Sequence, residues 1–196
     1  MKIFRQLYNW VLSWAESIYA DYALFVLAFA ESSFFPVPPD VLLITLNIGK
    51  PKKSFKYATI CTAGSVLGGM FGYLIGYGIW QLVKNFFFKY VFSEQLFLKV
   101  QSLYQHNAFW SVFTAGFTPI PYKVFTIAAG VCEISFFMLV VASILSRGAR
   151  FFLLSTLIWY FGAPIKKFIE KYFNLLTIIF TVLLIMGFLL LPKLIK

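Results

Sequence analysis

The sequence predicts an all-α membrane protein made of two inverted repeats. Three observations support this fold class: a very apolar composition, two apolar segments broken by prolines, and an uneven distribution of lysines among the loops. Of the 196 residues, 61% are hydrophobic and 12% are charged, which lies far outside the composition of soluble domains. We expect each repeat to contain a re-entrant helical hairpin followed by a transmembrane helix. Amphipathic surface helices and a C-terminal transmembrane helix complete the predicted fold.

The net charge of +10 does not indicate a nucleic-acid partner in this setting. The lysines concentrate near the ends of apolar segments, where they hold the topology and meet anionic headgroups. The strongest basic run, residues 50–56, is predicted to be cytoplasmic, which also places the N-terminus in the cytoplasm. The length allows a single membrane domain, residues 1–196.

The first repeat is predicted to span residues 22–83. Before it, residues 1–20 have the apolar spacing of an interfacial helix, although a helix packed on the protein fits nearly as well. Residues 22–35 are apolar but too short for a crossing, which needs about 20 residues. Prolines then end the helix, and a short apolar piece resumes over 41–48. Irregular backbone at membrane depth must be buried by protein or line a wet cavity, so this segment is predicted to be re-entrant.

The long apolar span predicted over 57–83 carries glycines at strict intervals of four. Such a row lets another backbone approach closely, and a smooth groove for a lipid tail would use the same face. An amphipathic helix is predicted over 84–106. The four glycines are Gly64, Gly68, Gly72 and Gly76.

The second repeat is predicted over 107–163, with a broken segment at 107–130 and a span at 134–162. The loop that follows the second break carries no lysine, whereas the equivalent loop of the first repeat carries four. This contrast places the two loops on opposite sides of the membrane, so the repeats are predicted to be inverted. A last span is predicted over 173–192.

The two breaks correspond at an offset of 83 positions. Asp40 then falls on Lys123, so an acid in one repeat occupies the place of a base in the other. We therefore expect the two breaks to meet and Asp40 to face Lys123. The prolines of the breaks are Pro36, Pro38 and Pro39 in the first repeat, and Pro119 and Pro121 in the second.

Five ionisable residues lie deep in apolar sequence and form the predicted substrate and proton site. A charge at the bilayer centre costs about 2.5–3.5 kcal/mol on insertion scales, so we expect them to gather and compensate one another. The bases suit a phosphate, and the partly desolvated acids could exchange protons. Alternatively, the five residues only form salt bridges that hold the fold. They are Glu31, Asp40, Lys123, Arg147 and Arg150.

Nothing in the sequence indicates an enzyme. It has no metal-ligand cluster, no nucleophile beside a histidine and no glycine loop for phosphates. No cofactor and no metal are expected. Cys61 and Cys132 are predicted to be buried free thiols.

The chain resembles the DedA family, also called the SNARE-associated or VTT-domain family, over roughly residues 20–165. The resemblance rests on Glu31, the run Phe-Pro-Val-Pro-Pro-Asp at 35–40, the glycine-rich span 64–78, the run Phe-Thr-Pro-Ile-Pro-Tyr-Lys at 117–123, and the motif Arg-Gly-Ala-Arg at 147–150. It implies opposed re-entrant hairpins in a bacterial cytoplasmic (inner) membrane. It further implies movement of lipids such as undecaprenyl phosphate or phospholipids between leaflets, often dependent on the proton motive force. Glu31 and Asp40 match the acidic positions of the family's first hairpin.

The second break departs from the family pattern, which often has two arginines here. The run Gly-Phe-Thr-Pro at 116–119 lacks the first arginine, Tyr122 occupies the place of the second, and Lys123 follows it. Lysine lacks the planar fork of arginine, so the resemblance leaves open a headgroup other than that of the better-known family members.

Three functions remain open on the sequence alone. The first is a translocase, like a flippase or scramblase, for a lipid with an anionic phosphate headgroup, coupled to protons. The second is a proton-coupled transporter of a small ion or metabolite. The third is a non-transporting membrane scaffold. A homo-oligomer is compatible with each of them.

Overall fold

The computed structural model describes residues 17–35, 37–90, 93–118 and 120–162. All regular structure within these ranges is helical, which confirms the predicted all-α class. A 3₁₀ turn, Pro51–Lys53, joins the second helix to the third. The seven described α-helices are α1 (Ala20–Ser33), α2 (Asp40–Gly49), α3 (Ser54–Tyr90), α4 (Glu94–His106), α5 (Ala108–Phe117), α6 (Tyr122–Val131) and α7 (Phe136–Phe161).

Prolines set the two breaks, as the sequence predicts. Pro39 lies directly before α2 and Pro121 directly before α6. Proline fixes its own φ and restricts the residue before it, so a helix cannot continue through such a run. Pro36 and Pro119 lie outside the described residues. We call α1 with α2 the first helix pair, and α5 with α6 the second helix pair.

Within the described ranges, two helices are long and apolar enough to cross a membrane. One covers Pro51–Phe88 and includes most of α3, and the other is α7, Phe136–Phe161. The helices α2, α5 and α6 have 10 residues each, about half of what a crossing needs, roughly 20 residues.

The structure divides the single amphipathic helix predicted over 84–106. Residues 84–90 continue α3, because no glycine or proline interrupts them. A new helix begins at Glu94, where the Ser93 side chain accepts a hydrogen bond from the Leu96 backbone N–H at 3.4 Å and caps α4.

The glycine face of α3 receives both helix pairs, which confirms the predicted close approach. A side chain at Gly68 would collide with the Phe29 backbone of α1, and one at Gly76 with the Ile127 backbone of α6. Gly72 lies between them, against Thr126 of α6 and the Ser32 carbonyl of α1. The two helix pairs therefore lie side by side along one helix.

The beginning of α1 and the end of α6, which lie away from the proline breaks, are at opposite ends of α3. At its beginning, Lys56 forms an ion pair with Asp21 of α1, with 2.5 Å between Nζ and Oδ2. Toward its other end, Gln81 donates to Glu133, just beyond α6, at 2.9 Å. Both proline breaks thus point toward the middle of α3. We call the end that carries Lys50, Lys52, Lys53 and Lys56 the lysine end.

The predicted interfacial helix over 1–20 and the predicted last span over 173–192 fall almost entirely outside the described residues. Ala20 and the three residues before it are described, and Ala20 begins α1.

Candidate functional site

Arg147 of α7 lies at the centre of a buried polar cluster. Its Nη2 is 2.6 Å from Glu31 Oε2, and the two side chains are 4% and 14% exposed. Its Nε donates to the Ser65 hydroxyl of α3 at 2.5 Å, and Ser65 is also 2.7 Å from the Ser32 hydroxyl of α1. One guanidinium therefore connects α1, α3 and α7.

The same guanidinium lies between two aromatic rings. Its carbon is 4.9 Å from the centroid of the Tyr122 ring and 4.9 Å from that of Phe151, so both rings make cation–π contacts. The Tyr122 hydroxyl donates to Ser143 of α7, and Gly69 leaves room for this ring on α3. Arg147 thus also contacts α6, the second helix pair.

Asp40, the first residue of α2, pairs with Arg150. Arg150 Nη2 is 2.8 Å from Oδ2 and its Nε is 3.3 Å from Oδ1, a two-point contact. The side chains are 23% and 18% exposed. Since Arg147 and Arg150 are three residues apart, they share a face of α7, as the sequence predicts.

Lys123 is placed differently from our expectation. Its Nζ donates to the Phe35 backbone carbonyl at 2.9 Å, and no carboxylate of the described residues lies within ion-pair distance of it. The prediction that Asp40 faces Lys123 is therefore wrong, because the fork of Arg150 holds both oxygens of Asp40. The expectation that the two breaks meet is confirmed, since the Lys123–Phe35 hydrogen bond joins the second helix pair to the first.

The site contains polar residues that the sequence analysis missed. Ser32 and Ser65 bind Arg147, and Asn47 of α2 donates to Ser155 of α7 at 2.8 Å. Their signal in the sequence is weak: Ser65 directly follows a glycine of the α3 face, and Asn47 lies two helical turns after Asp40. A small polar residue in an apolar helix is common, so only the tertiary structure identifies these.

Helix α4 holds the far end of the second helix pair. Gln101 and Gln105 each donate to the Cys132 carbonyl at 3.0 Å, and the Tyr104 hydroxyl donates to the Phe125 carbonyl at 2.9 Å. Burial raises the pKa of Tyr104 well above its ordinary value, so its hydroxyl remains a donor at neutral pH.

The described residues contain no group of three or more histidine, cysteine or acidic side chains that could hold a metal ion. Cys61 and Cys132 are free and buried, as predicted. The charged centre is therefore built from two arginine–carboxylate pairs and one lysine.

Comparisons with known proteins find relatives in two bacteria. The chain is 38% identical over 174 residues to an uncharacterized protein from Haemophilus influenzae, an alignment that covers 87% of this chain and 90% of the relative. It is 36% identical over 171 residues to an uncharacterized protein from Histophilus somni, with 87% of each chain covered. No family model matches the chain. No solved structure matches it.

Proposed function

The chain belongs to the same family as these Haemophilus and Histophilus proteins, and we propose that it moves a phosphate-bearing lipid between the two leaflets of a membrane. In this proposal the two helix pairs are the re-entrant hairpins of two inverted repeats, as in the DedA family that the chain resembles. The membrane is the bacterial cytoplasmic membrane, and undecaprenyl phosphate or a phospholipid is the lipid.

The observation that carries the proposal is the environment of Lys123. Among the described residues at the charged centre, both arginines form ion pairs with carboxylates, and Lys123 donates only to a backbone carbonyl. An ammonium has three donors, so two remain for an anion. The charges of Glu31 and Asp40 cancel those of the arginines, and the centre keeps one positive charge.

The position of Lys123 on its helix also favours an anion. It lies in the first turn of α6, where the helix dipole presents partial positive charge and no side chain caps the backbone N–H groups. A cation here is poorly placed unless an anion joins it. A phosphate would bind the ammonium together with the first-turn backbone N–H groups that no side chain caps.

The two arginine–carboxylate pairs give the site its shape and its coupling to protons. Arg147 joins three helices of the site and fixes their relative positions. Asp40 and Arg150 are more exposed than Arg147. A proton taken up by Asp40 would weaken its hold on Arg150 and leave a second cation for the headgroup.

Leaflet exchange in liposomes tests the proposal. The full chain is reconstituted into phosphatidylcholine vesicles that contain a labelled phosphate-bearing lipid, either undecaprenyl phosphate or phosphatidylglycerol. We expect exchange that depends on the protein and is slowed by Asp40→Asn, because the neutral amide cannot release a proton and take Arg150 back from the headgroup. Uptake of inorganic phosphate without lipid exchange would instead indicate a small-ion transporter. The absence of both lipid exchange and phosphate uptake would contradict transport.

A further inference from the structure

Two buried oxygen atoms near the lysine end have no hydrogen-bond partner among the described residues. One is Oδ1 of Asn47, a residue with 0% exposure whose amide nitrogen donates to Ser155. The other is the hydroxyl of Ser54, also 0% exposed, which begins α3. The short connection through Lys50 and Pro51–Lys53 joins the helix of Asn47 to that of Ser54.

Such atoms require a partner. A buried polar group without one costs about 1–3 kcal/mol, and buried water is the usual remedy, with about three hydrogen bonds for each molecule. An amide oxygen accepts and a hydroxyl donates or accepts, so both atoms suit water. Asn47, Ser54 and Ser155 bring no carboxylate, which favours water over a cation.

We propose that the seam between α2 and α7 binds water at its lysine end, on Asn47 Oδ1 and the Ser54 hydroxyl, and that one apolar layer separates this water from the Asp40–Arg150 pair. The seam brings solvent at the lysine end to within one apolar layer of that pair. As a route for protons it rests on the proposed function, but the bound water does not.

The spacing of residues along the seam supports this arrangement. Asp40 and Asn47 are seven residues apart, so they lie on one face of α2, and both face α7 through Arg150 and Ser155. On the same face of α2, Leu43 lies between them with 0% exposure. The seam is thus charged at one level, apolar at the next and polar at the lysine end.

The apolar layer is formed by Leu43 and Phe151, which belong to one buried cluster. Phe151 directly follows Arg150, and its ring also covers the Arg147 guanidinium. Cys61 of α3 belongs to the same cluster. Its thiol can therefore report whether water enters the layer.

Thiol hydrogen exchange, followed by the infrared shift from S–H to S–D in D₂O, tests the bound water. Two cysteine probes, Asn47→Cys and Leu43→Cys, are placed one at a time in the full chain carrying Cys61→Ala and Cys132→Ala. Both positions are fully buried and one turn apart, so a dry seam predicts equally slow exchange. The proposal predicts exchange about tenfold or more faster for Asn47→Cys, and equal rates would overturn it.

A second comparison tests the layer, with the native Cys61 thiol as reporter and Cys132→Ala as background. We expect Leu43→Ala to accelerate exchange at Cys61. Leu139→Ala is the matched control, because Leu139 is equally buried but belongs to the other core cluster. No acceleration by Leu43→Ala, or equal acceleration by both, would contradict the layer.

The experiments remain decisive if one variant does not fold, as judged by helical circular dichroism and size-exclusion chromatography. Ser155→Cys probes the same water from α7 and should exchange as fast as Asn47→Cys; slow exchange there would contradict the water. The measurements need no lipid transport. A failed leaflet-exchange assay would leave the bound water intact, and slow exchange at both probes would leave the transport proposal intact.

Discussion

Arg147 shows how one buried side chain can hold a polar site together. Its charge is balanced by Glu31, its Nε is bound by Ser65, and its faces are covered by two rings. A buried ion pair of this kind adds little compared with apolar residues of the same volume, but losing one member leaves a bare charge. The intact pair therefore adds little to stability, whereas removing one of its members costs much.

Arg147→Met should lower the free energy of unfolding by about 3–5 kcal/mol, because it leaves the Glu31 carboxylate buried without its partner. The measurement is denaturant unfolding of the purified protein in detergent micelles, followed by circular dichroism. Adding Glu31→Gln to this variant should restore much of the lost stability. A loss below about 1 kcal/mol for Arg147→Met alone, the value of an exposed pair, would show that the pair is solvated.

The choice of partner for Asp40 is a residue-scale feature that could not be predicted from the sequence. The alignment of the two breaks identifies equivalent positions, and equivalent positions in two repeats need not touch. Asp40 instead contacts α7, where Arg150 offers two donors against the single point charge of Lys123. What the residue types did predict is the set of five charges and the gathering of two acids with two arginines.

At the scale of elements, α3 is the surface on which both helix pairs are mounted. Its glycines bring the α1 and α6 backbones close, and this was readable from the strict interval of four. The length of α3 could not be predicted from the sequence. Residues 84–90 have an amphipathic pattern that suggests a separate helix, but they contain no residue that ends α3. Their continuation to Tyr90 depends on the absence of a break rather than on an apolar pattern.

Alanine substitutions on α3 should separate close packing from helix propensity. Gly68→Ala and Gly76→Ala should each destabilise the protein by about 1–3 kcal/mol, because the new methyl group meets backbone that cannot move aside. Gly78→Ala is the control: it has nothing within 4 Å and should be neutral or stabilising by up to about 1 kcal/mol. Thermal unfolding of the three variants checks this, and similar melting temperatures would contradict the packing.

The contact between α4 and the end of α6 should be redundant. Gln101 and Gln105 donate to the same Cys132 carbonyl. Either single change to leucine should therefore lower the free energy of unfolding by less than about 1 kcal/mol. The double change should lower it by about 1–3 kcal/mol, because the carbonyl then loses both donors. A double-mutant cycle by denaturant unfolding measures the coupling. Additive effects of the two single changes would mean that the glutamines act independently.

For the molecule as a whole, local signals predicted the two proline breaks and most of the helices, and tertiary contacts decided the rest. Prolines, glycine spacing and apolar runs each act within a few residues, so the sequence displays them directly. The hydrogen bond from Lys123 to the Phe35 carbonyl and the polar contact of Asn47 with Ser155 join residues 88 and 108 positions apart. No periodicity within one helix reports contacts of that range.

We propose that Lys123 binds the lipid headgroup, and leaflet exchange of a phosphate-bearing lipid by Lys123→Gln tests this role most directly. Lys56→Gln is the matched control, since Lys56 forms an exposed ion pair with Asp21 away from the site. Loss of a hydrogen bond to a charged group costs about 1.5–3 kcal/mol, so Lys123→Gln should slow exchange by roughly 10- to 100-fold. Lys56→Gln should exchange at the wild-type rate. Equal rates for the two variants, both close to wild type, would contradict the assignment of Lys123 as the headgroup ligand.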